Sequence, residues 1–119
     1  MKFIVSSTGL FSHLQAISRV INSKNSLPIL DCFLMELTDG TLFLTASDSE
    51  TTLSTSLEVI ENDGDGRFAV SSKTILEALK EIPEQPLTFE VNTNNLEITV
   101  QYQNGKYSLM GQNADEYPQ

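Results

Sequence analysis

Lys2–Phe3–Ile4–Val5–Ser6–Ser7 returns 65 residues later as Arg67–Phe68–Ala69–Val70–Ser71–Ser72. The same offset carries Leu10, Phe11, Leu14 and Ile17 onto Ile75, Leu76, Leu79 and Ile82. An alternating apolar stretch that runs into paired serines and then into a helix-period pattern reads as strand, N-cap and helix. Meeting that unit twice in one chain predicts an internally duplicated fold.

Outward from this pair, Leu42–Phe43–Leu44–Thr45–Ala46 matches Leu96–Glu97–Ile98–Thr99–Val100 at an offset of 54. The change of offset fits an 11-residue insertion in the first half, around Asn22 to Leu30. The repeats then span about 1–60 and 66–113 of a single domain covering residues 1–119. The first helix is expected over Ser7–Asn22, with Leu10, Leu14, Ile17 and Ile21 on one face. The second is expected over Ser72–Glu81, burying Ile75, Leu76, Leu79 and Ile82 and stopped by Pro83. Strands Ile29–Leu37, Thr41–Ser47 and Thr52–Val59 follow in the first half, with a hairpin turn at Asp39–Gly40. In the second half they are Leu87–Val91, Leu96–Gln101 and Tyr107–Gly111, turning at Asn94–Asn95 and Asn104–Gly105. Glu61–Gly66 reads as a polar, glycine-rich linker. The plan is βαβββ twice: an α+β, two-layer domain with two helices packed on antiparallel sheets in pseudo-two-fold symmetry.

Composition narrows the function. The 119 residues are 39% hydrophobic and 19% charged, the balance of a globular chain rather than a disordered one. No apolar run approaches the roughly 18 residues of a membrane span, and MKFIVSSTG lacks the regions of a signal peptide. The expectation is a cytoplasmic domain without membrane contact. One Cys and one His are too few for a soft-ligand zinc site, and no metal or cofactor is expected.

With 7 basic and 16 acidic residues the net charge is −9, which by itself argues against nucleic acid. The distribution says something else. The helix face opposite the apolar stripe carries Ser12, Gln15, Ala16 and Arg19 on the first helix and Lys73, Glu77 and Lys80 on the second. With Lys24 just beyond the first helix, four of the seven basic residues lie on or beside the helical layer. Most acids, such as Glu36, Asp39, Glu50, Glu58, Asp63, Glu90 and Glu97, fall on strands and turns. Polar helix faces also collect Lys and Arg for solubility alone, so two classes stay open. One is a DNA-facing helical layer; the other is an acidic protein–protein interaction domain without DNA contact.

No residue set supports catalysis. His13 has no neighbouring Cys or Asp in sequence, and Cys32 beside Phe33 and Leu34 reads as a small core or edge residue. Ser6–Ser7 and Ser71–Ser72 read as caps, with no matched base. Glu61, Asp63 and Asp65 lack the ligand spacing and terminal Glu of an EF-hand, leaving a solvated linker.

The opening MKFIV, then Leu27–Pro28–Ile29–Leu30, then Asp39–Gly40–Thr41–Leu42–Phe43–Leu44–Thr45–Ala46–Ser47–Asp48–Ser49–Glu50, stand in an order and spacing that resemble the first domain of the bacterial sliding clamps. Those are the beta subunits of the replicative DNA polymerase. Ala114–Asp115–Glu116–Tyr117–Pro118 is similar to the passage from their first domain to their second. Ser49 stands where an apolar residue is expected, and Lys24 where Arg is common. The resemblance implies a non-catalytic processivity factor: three such domains per subunit, two subunits closed head-to-tail, helices lining a hole around duplex DNA. It implies Gln15, Arg19, Lys24, Lys73 and Lys80 facing DNA without reading sequence, and Tyr107 and Leu109 at the contact with the second subunit. Replicative polymerase and clamp loader would bind through later domains that this chain lacks.

Overall fold

The computed structural model describes residues 1–20, 31–47, 51–92, 94–103 and 105–117. Lys24, Leu27–Leu30, Asp48–Glu50 and the Asn104 turn position lie outside the described residues.

Strand β1 (Lys2–Ser6) leads into helix α1 (Ser7–Ser18), and a meander β2 (Cys32–Thr38), β3 (Thr41–Ser47) and β4 (Thr52–Glu58) follows. A short strand β5 (Glu61–Asp63) precedes the second set: β6 (Gly66–Ser71), α2 (Ser72–Lys80), β7 (Pro86–Val91), β8 (Glu97–Tyr102) and β9 (Gly105–Met110). A 3-10 turn at Ala114–Glu116 follows β9. Helix α1 is shorter than the apolar pattern predicts, with Arg19 as its C-cap. The Val20 amide bonds back three residues to Ile17 O at 3.5 Å, so the chain tightens out of α geometry there.

The meanders stay whole, but the first strands are exchanged. One sheet runs β5-β1-β7-β8-β9 and the other β4-β3-β2-β6, so each unit's leading strand pairs with the other unit's meander. The two exchanges are in matching register: Phe3 faces Phe89, and its counterpart Phe68 faces Met35. Phe3 and Phe89 stack with centroids 4.9 Å apart, a pair worth about 0.5–1.5 kcal/mol beyond its buried area.

The same registers revise the second alignment read from sequence. Leu44 pairs with Met35 and Val100 pairs with Phe89, which makes Leu44 the counterpart of Val100 rather than of Ile98. The shift is two residues, one full strand period, so inward and outward faces keep their sense and the sequence pattern could not detect it.

The Asp39–Gly40 hairpin has both central residues at positive φ (54° and 82°), the type I′ geometry that Asp-Gly favours. In the β7–β8 connection positive φ falls on Leu96 (62°), just past the expected Asn94–Asn95. There the Asn92 and Asn95 side chains accept from the Asn94 and Glu97 amides, both at 2.9 Å, and set the turn locally.

Residues Glu61–Asp63, expected as linker, are instead β5, pairing antiparallel with β1 through Lys2–Asp63, Phe3–Asn62 and Ile4–Glu61. The remainder of that stretch turns through Gly64 at positive φ (80°). Composition missed the strand because every residue of it is exposed and polar; the unpaired backbone edge of β1 is what recruits it.

The inward faces of both sheets join Leu10, Leu14 and Ile17 of α1 and Ile75 and Leu79 of α2 in one apolar core. The helices touch each other, leaving their polar faces together on one side.

Candidate nucleic-acid interface

The helical face is fixed from its N-terminal ends. Ser6 caps α1 by accepting the Gly9 amide at 3.1 Å, and Ser71 caps α2 by accepting the Thr74 amide at 3.5 Å. Buried Ser7 donates to Pro83 O and accepts the Gln85 amide, each at 3.0 Å, tying the start of α1 to the segment that follows α2. Glu84 reinforces the tie. Its carboxylate accepts from Ser6 Oγ at 2.9 Å and from Thr8 Oγ1. The Thr8 and then the Ser6 hydroxyl hold this carboxyl below its ordinary value. Its place at the N-terminus of α1 also suits a negative charge.

On the surface so held, Ser12, Gln15, Ala16 and Arg19 of the first helix and its cap are exposed, as are Lys73, Glu77 and Lys80 of the second. Gln15, Glu77 and Lys80 come together on a shallow groove between the helices, floored by half-buried Phe11 and Leu76. Arg19 lies one turn beyond Gln15, and Lys73 roughly two turns before Lys80. Among the described residues none of Arg19, Lys73 and Lys80 has an ion-pair partner, whereas Lys2 pairs with Glu90 and Arg67 with Asp115. Two of the three strand cations are thus met by acids, Lys106 on β9 being the exception, while the three on the helical face are exposed without an ion pair among the described residues. Across the outer face of the five-stranded sheet the register sets Asp63, Lys2, Glu90, Thr99 and Ser108 in one row, with Glu61 and Glu97 nearby. Most acids lie on strands and turns, with Glu77 the acid on the helical face, and three of the four cations without an ion pair among the described residues lie on the helices.

At the second candidate surface, β9 is the outer strand of its sheet and pairs only with β8. Leu109 is 9% exposed and faces Ile98 in the core of its own domain. Tyr107 is half-buried and stacks on Tyr102 with centroids 5.4 Å apart. Both belong to the inward set because strand alternation places them opposite buried Ile98 and Val100. The side chains turned outward are Lys106, Ser108 and Met110, the last 66% exposed. Leu109, expected at the subunit contact together with Tyr107, thus packs within this domain, and what β9 turns outward is its backbone edge and Met110.

The other candidate residues find ordinary places. His13 Nδ1 lies 2.7 Å from Gly9 O on its own helix. Burial, then the Asp31 charge, pushes the Cys32 thiol up to about 11, leaving almost no thiolate at neutral pH. Asp65 accepts the Asp39 amide at 3.2 Å. No group of three or more His, Cys, Asp or Glu among the described residues could hold a metal ion, and none of their helices is long and apolar enough to cross a membrane. Sequence reasoning missed Glu84, whose partners are 76 and 78 residues away, and Met110; pairing Val100 with Tyr107 would have exposed the latter.

Residues 1–119 match the family described as DNA polymerase III beta subunit, N-terminal domain. The chain belongs to that family. Among curated relatives, the beta sliding clamp of Haemophilus influenzae is 28% identical over 121 residues, covering 99% of this chain and 32% of the relative. That of Buchnera aphidicola from Acyrthosiphon pisum is 29% identical over 118 residues, with the same coverage. This beta-subunit domain therefore spans about a third of the curated relatives it matches. Its fold is that of the beta subunit of Streptococcus pyogenes DNA polymerase (TM-score 0.92, 19% identity, 100% of this chain and 32% of that one). The Helicobacter pylori beta clamp, solved bound to a DNA ligase peptide, has the same fold (TM-score 0.90, 23% identity, 100% and 33%).

Proposed function

We propose that this domain is one segment of a ring that encircles duplex DNA and tethers the replicative polymerase to its template, without catalysis of its own. The observation that carries the reading is the charge arrangement: Arg19, Lys73 and Lys80, exposed and unpaired on a −9 body, share the helical face with Gln15. Solvated cations of this kind attract phosphates without fixing register, which is what a sliding contact requires. An acidic outer wall disfavours binding of DNA from the side. Lys24 joins the DNA-facing set through the family pattern. Residues 1–119 form one domain of two βαβββ repeats, about 1–60 and 66–113, and further clamp domains complete the subunit. The edge of β9 meets a second subunit head-to-tail by adding strand to strand. Polymerase and clamp loader are held by the other domains, and the whole works in the cytoplasm.

The test uses the full-length parent. Changing Arg19, Lys24, Lys73 and Lys80 together to Ala should shorten retention on nicked circular DNA at every sequence alike. Removing each cation that meets a phosphate should flatten the log–log salt dependence by up to about 0.9. Identical decay of wild type and variant at every salt concentration would remove the helical face from the DNA and favour an acidic protein-interaction domain.

A further inference from the structure

After β9 the chain does not leave the surface. Gly111 N–H donates to Leu96 O at 2.7 Å, and Gln112 exchanges two backbone hydrogen bonds with Ala69 of β6 (2.8 and 3.0 Å). The 3-10 turn then lays Ala114 and Tyr117, both 3% exposed, against Cys32, Leu34 and Ala69 on the outer face of the four-stranded sheet. Buried Ser47 donates to Tyr117 Oη at 3.3 Å, and Arg67 pairs with Asp115 across the rim.

This cluster is separate from the main core, from which the sheet itself divides it. The segment's counterpart in the first half is β5, which follows β4 as this segment follows β9 and pairs with β1 over three residues. Here a single bridge replaces that ladder, and a buried tyrosine takes over the anchoring. One bridge, one exposed ion pair, one side-chain hydrogen bond and the buried Ala114 and Tyr117 make a small cooperative unit, of the kind that opens below the cost of global unfolding.

We propose that residues 112–117 are a strap that opens and closes as a unit over the outer face of the four-stranded sheet, with Tyr117 as its latch and Cys32 beneath it. Closed, the strap fixes the direction in which the chain leaves the domain. Open, it frees that direction and uncovers Cys32, Leu34 and Ala69. The strap is defined by contacts within these 119 residues, so its test is independent of the DNA reading.

Cys32 is the sole cysteine, and its closed-state thiol is protected by burial, so thiol labelling reads the opening directly. In the 119-residue chain at neutral pH without urea, a maleimide should label Cys32 at least ~10-fold faster than global unfolding allows, with a shallow urea dependence. Tyr117→Ala should speed labelling a further ~10-fold or more, and Tyr117→Phe by a few-fold, while exchange protection of the Leu14 and Phe89 amides changes little. Should Tyr117→Ala fail to fold, Arg67→Ala tests the same strap from its rim and should also speed labelling. Labelling that follows global unfolding with its full urea dependence, in wild type and variants alike, would make the segment part of the main cooperative core and overturn the proposal.

Discussion

Ser6 and Ser71 occupy equivalent places in the two halves, yet their caps are unequal. The Ser6 cap is 3.1 Å and its hydroxyl also donates to Glu84, whereas the Ser71 cap is stretched to 3.5 Å. Ser6→Ala should therefore cost about 1–2 kcal/mol and Ser71→Ala about 0.5 kcal/mol, read as urea unfolding of each variant. Glu84 adds a pH dependence whose sign is fixed by its lowered carboxyl. Its stabilising contribution is present above the ordinary value of 4.5 and is lost as pH falls through that value towards the lower folded one. Wild type should lose urea resistance over that acid window more steeply than Glu84→Gln. Equal acid slopes for the two proteins would detach Glu84 from the α1 terminus. The Glu84 contacts were not legible in the sequence, because Ser6, Thr8 and Glu84 meet only after the first strands have exchanged sheets. The caps themselves were legible, since Ser-Ser before a helical period needs only local chemistry.

Elements were legible where apolar period and turn chemistry agree, as in α2 and the Asp39–Gly40 hairpin. They were hidden where pairing alone makes the element, as in β5, or where a two-residue slip preserves every face, as in the β3–β8 correspondence. β9 shows the difference most sharply. Its alternation was visible, but which alternate faces the core depends on the Val100–Tyr107 register. Leu109→Ala should destabilise the isolated domain by about 2–5 kcal/mol through the cavity left beside Ile98. Met110→Ser should stay within about 0.5 kcal/mol in the isolated domain. The same Met110→Ser change should weaken subunit association in the parent if β9 is the contact edge. Urea unfolding of the domain and sedimentation of the parent separate these effects; an unchanged Leu109→Ala domain would return that side chain to the surface.

At the scale of the whole molecule the charge of −9 misleads until it is divided between layers. Three of the four cations without an ion pair among the described residues lie on the helices and most acids on strands and turns, a division that helix period and strand assignment already expressed in the sequence. Three or four cations on an acidic body give weak steering, so the isolated domain should bind duplex DNA very poorly and remain monomeric at tens of micromolar. Affinity in this account comes from closure around the duplex, and closure has a topological signature that charge attraction lacks. The decisive measurement loads the full-length protein onto nicked circular DNA, cuts the circle once, and follows what stays bound. Encirclement predicts long retention on the circle and rapid escape from the freed ends, with no dependence on sequence. Equal retention on circular and linear DNA, or none on either, would contradict it.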